Sequence, residues 1–148
     1  MHPIHIPTDG GTRVNILGIP MVIRLHGRDT DGLISVVESH DLPGGGPPPH
    51  IHQREDETFQ VLEGEYEFTV GGQTLVAQKG ATLFAPRGIP HTYRYLGQTP
   101  GRLMVALTPS GFEGFFEEVG ALGPHQDIPR VIEIGKKYGL EFLPPPGA

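Results

Sequence analysis

Interruption constrains this chain more than any single motif. From Arg13 to Thr108 its apolar residues come in short runs that glycine, proline or Asx-type turns break again and again. Residues 58–63, 65–70, 73–77, 81–85, 92–96 and 102–108 are too short for ordinary globular helices and the right length for strands. Some alternate cleanly. Tyr66, Phe68 and Val70 fall on one face and Glu65, Glu67 and Thr69 on the other, the pattern of a half-buried antiparallel strand. Gly71-Gly72 then gives a two-residue hairpin, because both central positions of a type I′ turn need positive φ. Residues 13–17, 21–26 and 33–39 are further strands, the last two separated by the turn run Arg28-Asp29-Thr30-Asp31-Gly32. About nine short strands predict an all-β sandwich or small barrel. The 22 glycines and 16 prolines supply the breaks, and 36% apolar residues suffice for one core.

The C-terminal part has a different rhythm. Ser110 followed three residues later by Glu113 reads as a capping box ahead of Phe115, Phe116 and Val119. Asp127 before Ile128-Pro129 opens a second helix, with Val131, Ile132, Ile134 and Tyr138 on its apolar face and Gly139 at its end. The expected organisation is one domain over residues 1–148, with a helical segment at about 110–140. Pro144-Pro145-Pro146-Gly147 reads as an extended tail.

Charge narrows the partners. A net charge of −6 argues against a nucleic-acid surface, which needs clustered cations, and against a polybasic membrane anchor. No apolar run approaches the roughly 20 residues of a spanning helix. Residues 1–7 lack the basic-then-apolar order of a signal peptide, so the expected location is cytoplasmic. With no cysteine, thiolate ligands, cysteine nucleophiles and disulfides are excluded.

The histidines carry the chemistry. His50 and His52 stand two apart behind the rigid lead-in Pro47-Pro48-Pro49. On an extended segment they point to one face with Cα atoms about 6.6 Å apart. Both imidazoles then reach one metal at roughly 2.1 Å. Glu57, five residues on, can add an oxygen donor. Alone, such a pair is more often two loop histidines in solvent. Glu55 and Asp56 read as a solvated charge run, with Asp56 a one-residue-slip alternative to Glu57. A second stretch runs from Gly80 through Pro86-Arg87-Gly88 to His91. Imidazoles with one carboxylate suit one divalent transition metal among Fe, Mn, Ni, Cu or Zn better than Ca or Mg.

Together the two stretches resemble the two motifs of the cupin superfamily. Gly44, His50, His52, Glu57 and Gly64 fall at the spacings of the first motif, and Gly80, Pro86, Gly88 and His91 at those of the second, with 15 residues between Gly64 and Gly80. The resemblance covers residues 44–95. It implies a double-stranded β-helix, or jelly-roll barrel, with one or two short C-terminal helices. It also implies a metal held by His50, His52, Glu57 and His91. Tyr95 departs from the asparagine usual there. Counting by twos along strands turns Phe59 and Val61 inward after Glu57, and Tyr93 and Tyr95 inward after His91. Phe59, Tyr93 and Tyr95 are thus the candidate substrate-contacting residues, the two phenols as hydrogen-bond donors.

Within the superfamily the chain looks most like the quercetin-dioxygenase-like group, from its complete ligand set and from residues 110–116. That likeness implies a dioxygenase cleaving a small aromatic or enolic substrate with O₂, with Glu57 doubling as a general base. The alternatives are a cupin isomerase or lyase acting on a sugar or keto acid, and a non-catalytic binding module. The former would draw on Arg24, Arg94 and Arg102, the nearby strand arginines. A homodimer is expected, with the N-terminal segment and the Phe112, Phe115, Phe116 helix covering exposed sheet.

Overall fold

The computed structural model describes residues 1–144; the rest of the expected proline tail, Pro145 onward, lies outside the described residues. Among the described residues, eleven strands form two antiparallel sheets. The first has six strands in the order β1 (Thr12–Ile16), β2 (Ile19–Leu25), β3 (Ser35–Ser39), β10 (Arg102–Thr108), β5 (Asp56–Glu63) and β8 (Thr82–Ala85). The second has five, in the order β11 (Leu140–Phe142), β4 (His50–His52), β9 (His91–Tyr95), β6 (Glu65–Val70) and β7 (Gln73–Gln78). Helices α1 (Glu113–Gly120) and α2 (Ile128–Lys137) follow β10. This is a jelly roll. Among the described residues no helix is long and apolar enough to cross a membrane.

All nine expected strands are present, with ends displaced by up to two residues. The β6–β7 hairpin closes at Val70↔Gln73 through Gly71 and Gly72, both at positive φ. Strands β4 and β11 are three residues each, too short to declare themselves by alternation. They form by pairing with each other, Leu140↔His52 and Phe142↔His50.

Alternation sets the core. Phe59 and Val61 of β5 lie opposite Val105 and Leu103 of β10, and all four point between the sheets. Phe68 and Tyr66 of β6 pair with Tyr93 and Tyr95 of β9. Each fully buried Leu, Val or Phe here contributes about 1.5–3 kcal/mol of transfer free energy. On the opposite face of β3, Glu38 is buried between two guanidinium groups, Arg24 at 2.9 Å and Arg102 at 2.6 Å.

The helices correct one expectation and bear out another. Ser110 does not cap α1, whose first residue is Glu113. The Glu113 carboxylate instead accepts from the Gly27 N–H at 2.5 Å and the Gly111 N–H at 2.7 Å. The helix start is therefore pinned to the β2–β3 connection, where Gly27 leaves no room for a side chain against Ser110. In α2, Asp127 does cap, accepting from the Arg130 N–H at 3.2 Å, and Gly139 at positive φ ends the helix.

Candidate metal centre

Three strands of the two sheets deliver four side chains to one point. β4 contributes His50 and His52, β9 contributes His91 directly opposite His50, and β5 contributes Glu57 from the other sheet. All four are buried, and one ligand atom from each lies within 4.8 Å of the others. Asp56 points elsewhere, pairing with Arg87 at 3.1 Å, so the four-residue spacing from His52 selects Glu57.

Each imidazole is oriented from behind through Nδ1. His50 Nδ1 donates to the Pro48 carbonyl at 2.8 Å and His91 Nδ1 to the Ile89 carbonyl at 3.1 Å. His52 Nδ1 faces Glu55 Oε1 at 3.3 Å. Glu55 is thus buried and turned to His52, where the sequence suggests a solvated charge run. Such contacts hold the rings with Nε2 turned toward the centre, where the lone pair is available to an ion once any proton there is displaced. Glu57 Oε2 lies 2.5 Å from His91 Nε2 and 3.3 Å from His52 Nε2. Neither Glu57 Oε2 nor His91 Nε2 completes an aligned hydrogen bond despite that closeness. Buried polar atoms left this way are costly, and a shared cation would satisfy them together.

The charges agree with a cation site. Burial and the neighbouring histidines push His50 down to about 3, so it stays neutral. Burial works against ionised Glu57, but His52 and His91 outweigh it and lower the carboxyl to about 2. His91 is raised: burial opposes its charge, and Glu57 more than compensates.

The four groups line a cavity of about 150 Å³ between the sheets. Its other walls are mostly apolar, with Phe59 and Val105 from the barrel, Phe112 and Phe116 from the α1 region, and Phe142 from β11. Phe112 packs edge-on to His52 with ring centroids 4.4 Å apart. Phe112 and Phe115 therefore belong to this chain's own interior, not to a free cover for a second copy.

Of the candidate substrate-contacting residues, Phe59 and Tyr93 line the cavity. Tyr95 does not; its ring is buried against Tyr66, Gly64, Gly97 and Gly101, where added Cβ atoms would collide with it. Counting by twos finds the inward face but not the depth along the barrel. Three arginines also leave the cavity. Arg24 and Arg102 hold Glu38, and Arg94 lies 3.8 Å from Glu67.

Sequence reading missed one cluster. The Asp41 carboxylate is fully buried and accepts from Ser39 Oγ at 2.8 Å, Tyr66 Oη at 2.7 Å and Tyr93 Oη at 2.9 Å. Burial and the Asp41 charge raise the Tyr93 and Tyr66 phenols, which stay protonated. Ser39 and Tyr93 line the cavity.

Residues 37–107 match the family model described as "Cupin domain". Among curated proteins, the chain is 33% identical over 93 residues to quercetin 2,3-dioxygenase of Bacillus subtilis (strain 168), covering 63% of this chain and 27% of that protein. It is 30% identical over 115 residues to germin-like protein subfamily 2 member 2 of Arabidopsis thaliana, covering 70% and 52%. It is 29% identical over 98 residues to oxalate oxidase GF-3.8 of Triticum aestivum, covering 61% and 44%. The chain thus spans from about a quarter to about half the length of these relatives. Among solved structures, KdgF from Halomonas sp. matches with a TM-score of 0.68 at 18% identity, covering 76% of this chain and 99% of that one. The nucleoside dehydratase Pac13 matches with a TM-score of 0.62 at 16% identity, covering 76% and 88%. At these identities the structural matches speak for the fold alone.

Proposed function

The chain carries a cupin domain, and on that footing we propose that it is a metal-dependent dioxygenase acting on a small aromatic or enolic molecule. The observation that carries this reading is the convergence of three Nδ1-anchored imidazoles and Glu57 Oε2, which completes no aligned hydrogen bond, on the wall of an apolar cavity. His50, His52, Glu57 and His91 would hold one divalent transition metal. Bound there, the ion would supply Lewis acidity and, if redox-active, a partner for O₂.

The chain's own residues do the rest. Apolar walls exclude water and accept one ring, since a cavity near this size holds a benzene-sized guest. Phe59 stands edge-on to His91 at 5.9 Å between centroids and flanks the guest. Glu57 is buried and ionised, and although its lowered carboxyl makes it a weak base, it is the carboxylate that lines the cavity and would accept a hydroxyl proton from the ligand as a general base. The relationship to quercetin 2,3-dioxygenase supports the reaction class. Among the lining residues there is no lysine or arginine, which counts against an isomerase or lyase recognising an acidic substrate. Edge strands β8 and β7 expose Phe84 and Val76, which supports a homodimer of the 16.0 kDa chain, checked by sedimentation.

The test is O₂ uptake by metal-loaded protein with catechols, β-diketones and flavonols. Substrate-dependent uptake is expected from the one-ring members. Turnover indifferent to O₂, or ligand binding without turnover, would replace the dioxygenase with an isomerase, a lyase or a binding module. Glu57→Gln is expected to keep measurable metal and lose turnover by about 10²–10⁴-fold.

A further inference from the structure

The cavity wall holds a second polar feature whose direction can be read. Tyr93 follows His91 by two residues on β9, so the two side chains share the inward face about 6.6 Å apart along the strand. Beside Tyr93 stands Ser39 of β3, with the two hydroxyl oxygens 3.4 Å apart. Behind both lies Asp41, fully buried.

Asp41 decides what the hydroxyls can do. Its Oδ1 takes the Tyr93 hydroxyl hydrogen, and its Oδ2 takes those of Ser39 and Tyr66. A hydroxyl has one hydrogen to donate and two lone pairs. With their hydrogens committed to a buried carboxylate, Ser39 and Tyr93 have only lone pairs left for the cavity. Reversing Tyr93 would leave Oδ1 without a donor in a dry interior, and reversing Ser39 would leave Oδ2 with Tyr66 alone, each at a cost. The phenol that the sequence suggests as a donor is therefore an acceptor.

We propose that Ser39 and Tyr93, locked by Asp41, form a hydrogen-bond-accepting subsite that selects one-ring ligands bearing a hydroxyl or N–H donor over ligands bearing an ether or carbonyl there. Ser39 and Tyr93 touch the ligand; Asp41 is a positioning residue. The subsite rests on reading the cavity as a ligand site and deepens that reading, but it does not require the metal.

The experiment measures binding of benzene, phenol and anisole to the full chain, both metal-free and zinc-loaded. A purely apolar cavity favours benzene and penalises phenol. Here phenol is expected to bind at least as tightly as benzene and about tenfold more tightly than anisole. In a Ser39→Ala/Tyr93→Phe variant the phenol-to-anisole ratio should fall about tenfold. Asp41→Asn, which puts a donor among the hydroxyls, should shift the ratio toward anisole, an effect that mere loosening would not give. Anisole binding as tightly as phenol overturns the subsite, as does a ratio unchanged in the double variant, or no binding of any ring. Should the double variant fail to fold, Tyr93→Phe alone decides: its ratio should fall, and an unchanged ratio overturns the subsite. A phenol preference in protein that takes up no zinc would overturn the metal reading and leave the subsite standing.

Discussion

Glu57 and Asp41 are both carboxylates carried into the same barrel interior, Glu57 on β5 and Asp41 two residues past the end of β3. Their surroundings differ in kind. Asp41 accepts three hydroxyl hydrogens from residues 39, 66 and 93 and is satisfied within the chain. Glu57 faces the Nε2 atoms of His52 and His91, rings anchored from behind through Nδ1, and its Oε2 completes no aligned hydrogen bond. A buried charge enclosed by donors serves the fold and orients what surrounds it. A buried charge among anchored ring nitrogens calls for a positive charge at that point, a proton on His91 or a cation from outside.

The largest expected contrast is in stability. Asp41→Ala strands three hydroxyls in the interior and should cost about 3–5 kcal/mol by urea unfolding. Glu57→Gln, measured on metal-free protein at a pH above the raised His91 value, where that pairing is lost, should stay within about 1 kcal/mol. Equal costs would erase the distinction between the two carboxylates.

Proton competition should sharpen it next. The raised His91 holds a proton against Glu57 in metal-free protein, so that pairing contributes most below the ordinary histidine value of about 6.5 and is lost as pH rises through the raised one. A metal must displace this proton. Metal affinity should therefore weaken by about tenfold per pH unit below the raised His91 value. His50, held near 3, adds no second proton until far more acid pH. Titrations from pH 5 to 8 check the slope, and a flat profile would detach His91 from the site.

A smaller effect concerns orientation. Glu55→Gln weakens the acceptor behind His52 Nδ1 and should reduce metal affinity by about 10–100-fold, read by competition with a chelator. An unchanged affinity would return Glu55 to a packing role.

The same contrast explains what could be read from the chain. The His50, His52, Glu57 and His91 set was legible because its spacing is local: two histidines on one strand, and a Pro-x-Gly turn delivering a third. The strands were legible because period-two alternation and glycine turns are local too. The Asp41 cluster was not, since its donors come from residues up to 52 positions away on three strands, and Asp41 before Leu42-Pro43-Gly44 looks like a turn residue. Tyr95 was placed on the correct face at the wrong depth, which only its packing against Gly64, Gly97 and Gly101 reveals. Ser110 carried a valid capping signature that lost to a tertiary contact, the Glu113 bridge to Gly27.

Metal content decides most directly whether the open carboxylate and its three imidazoles hold an ion. Wild-type protein, purified without chelator and reloaded with a divalent transition metal, should bind about one ion per chain, and His52→Ala should retain less than about a tenth of it under the same dialysis. Full stoichiometry in His52→Ala, or none in reloaded wild type, would contradict the metal centre.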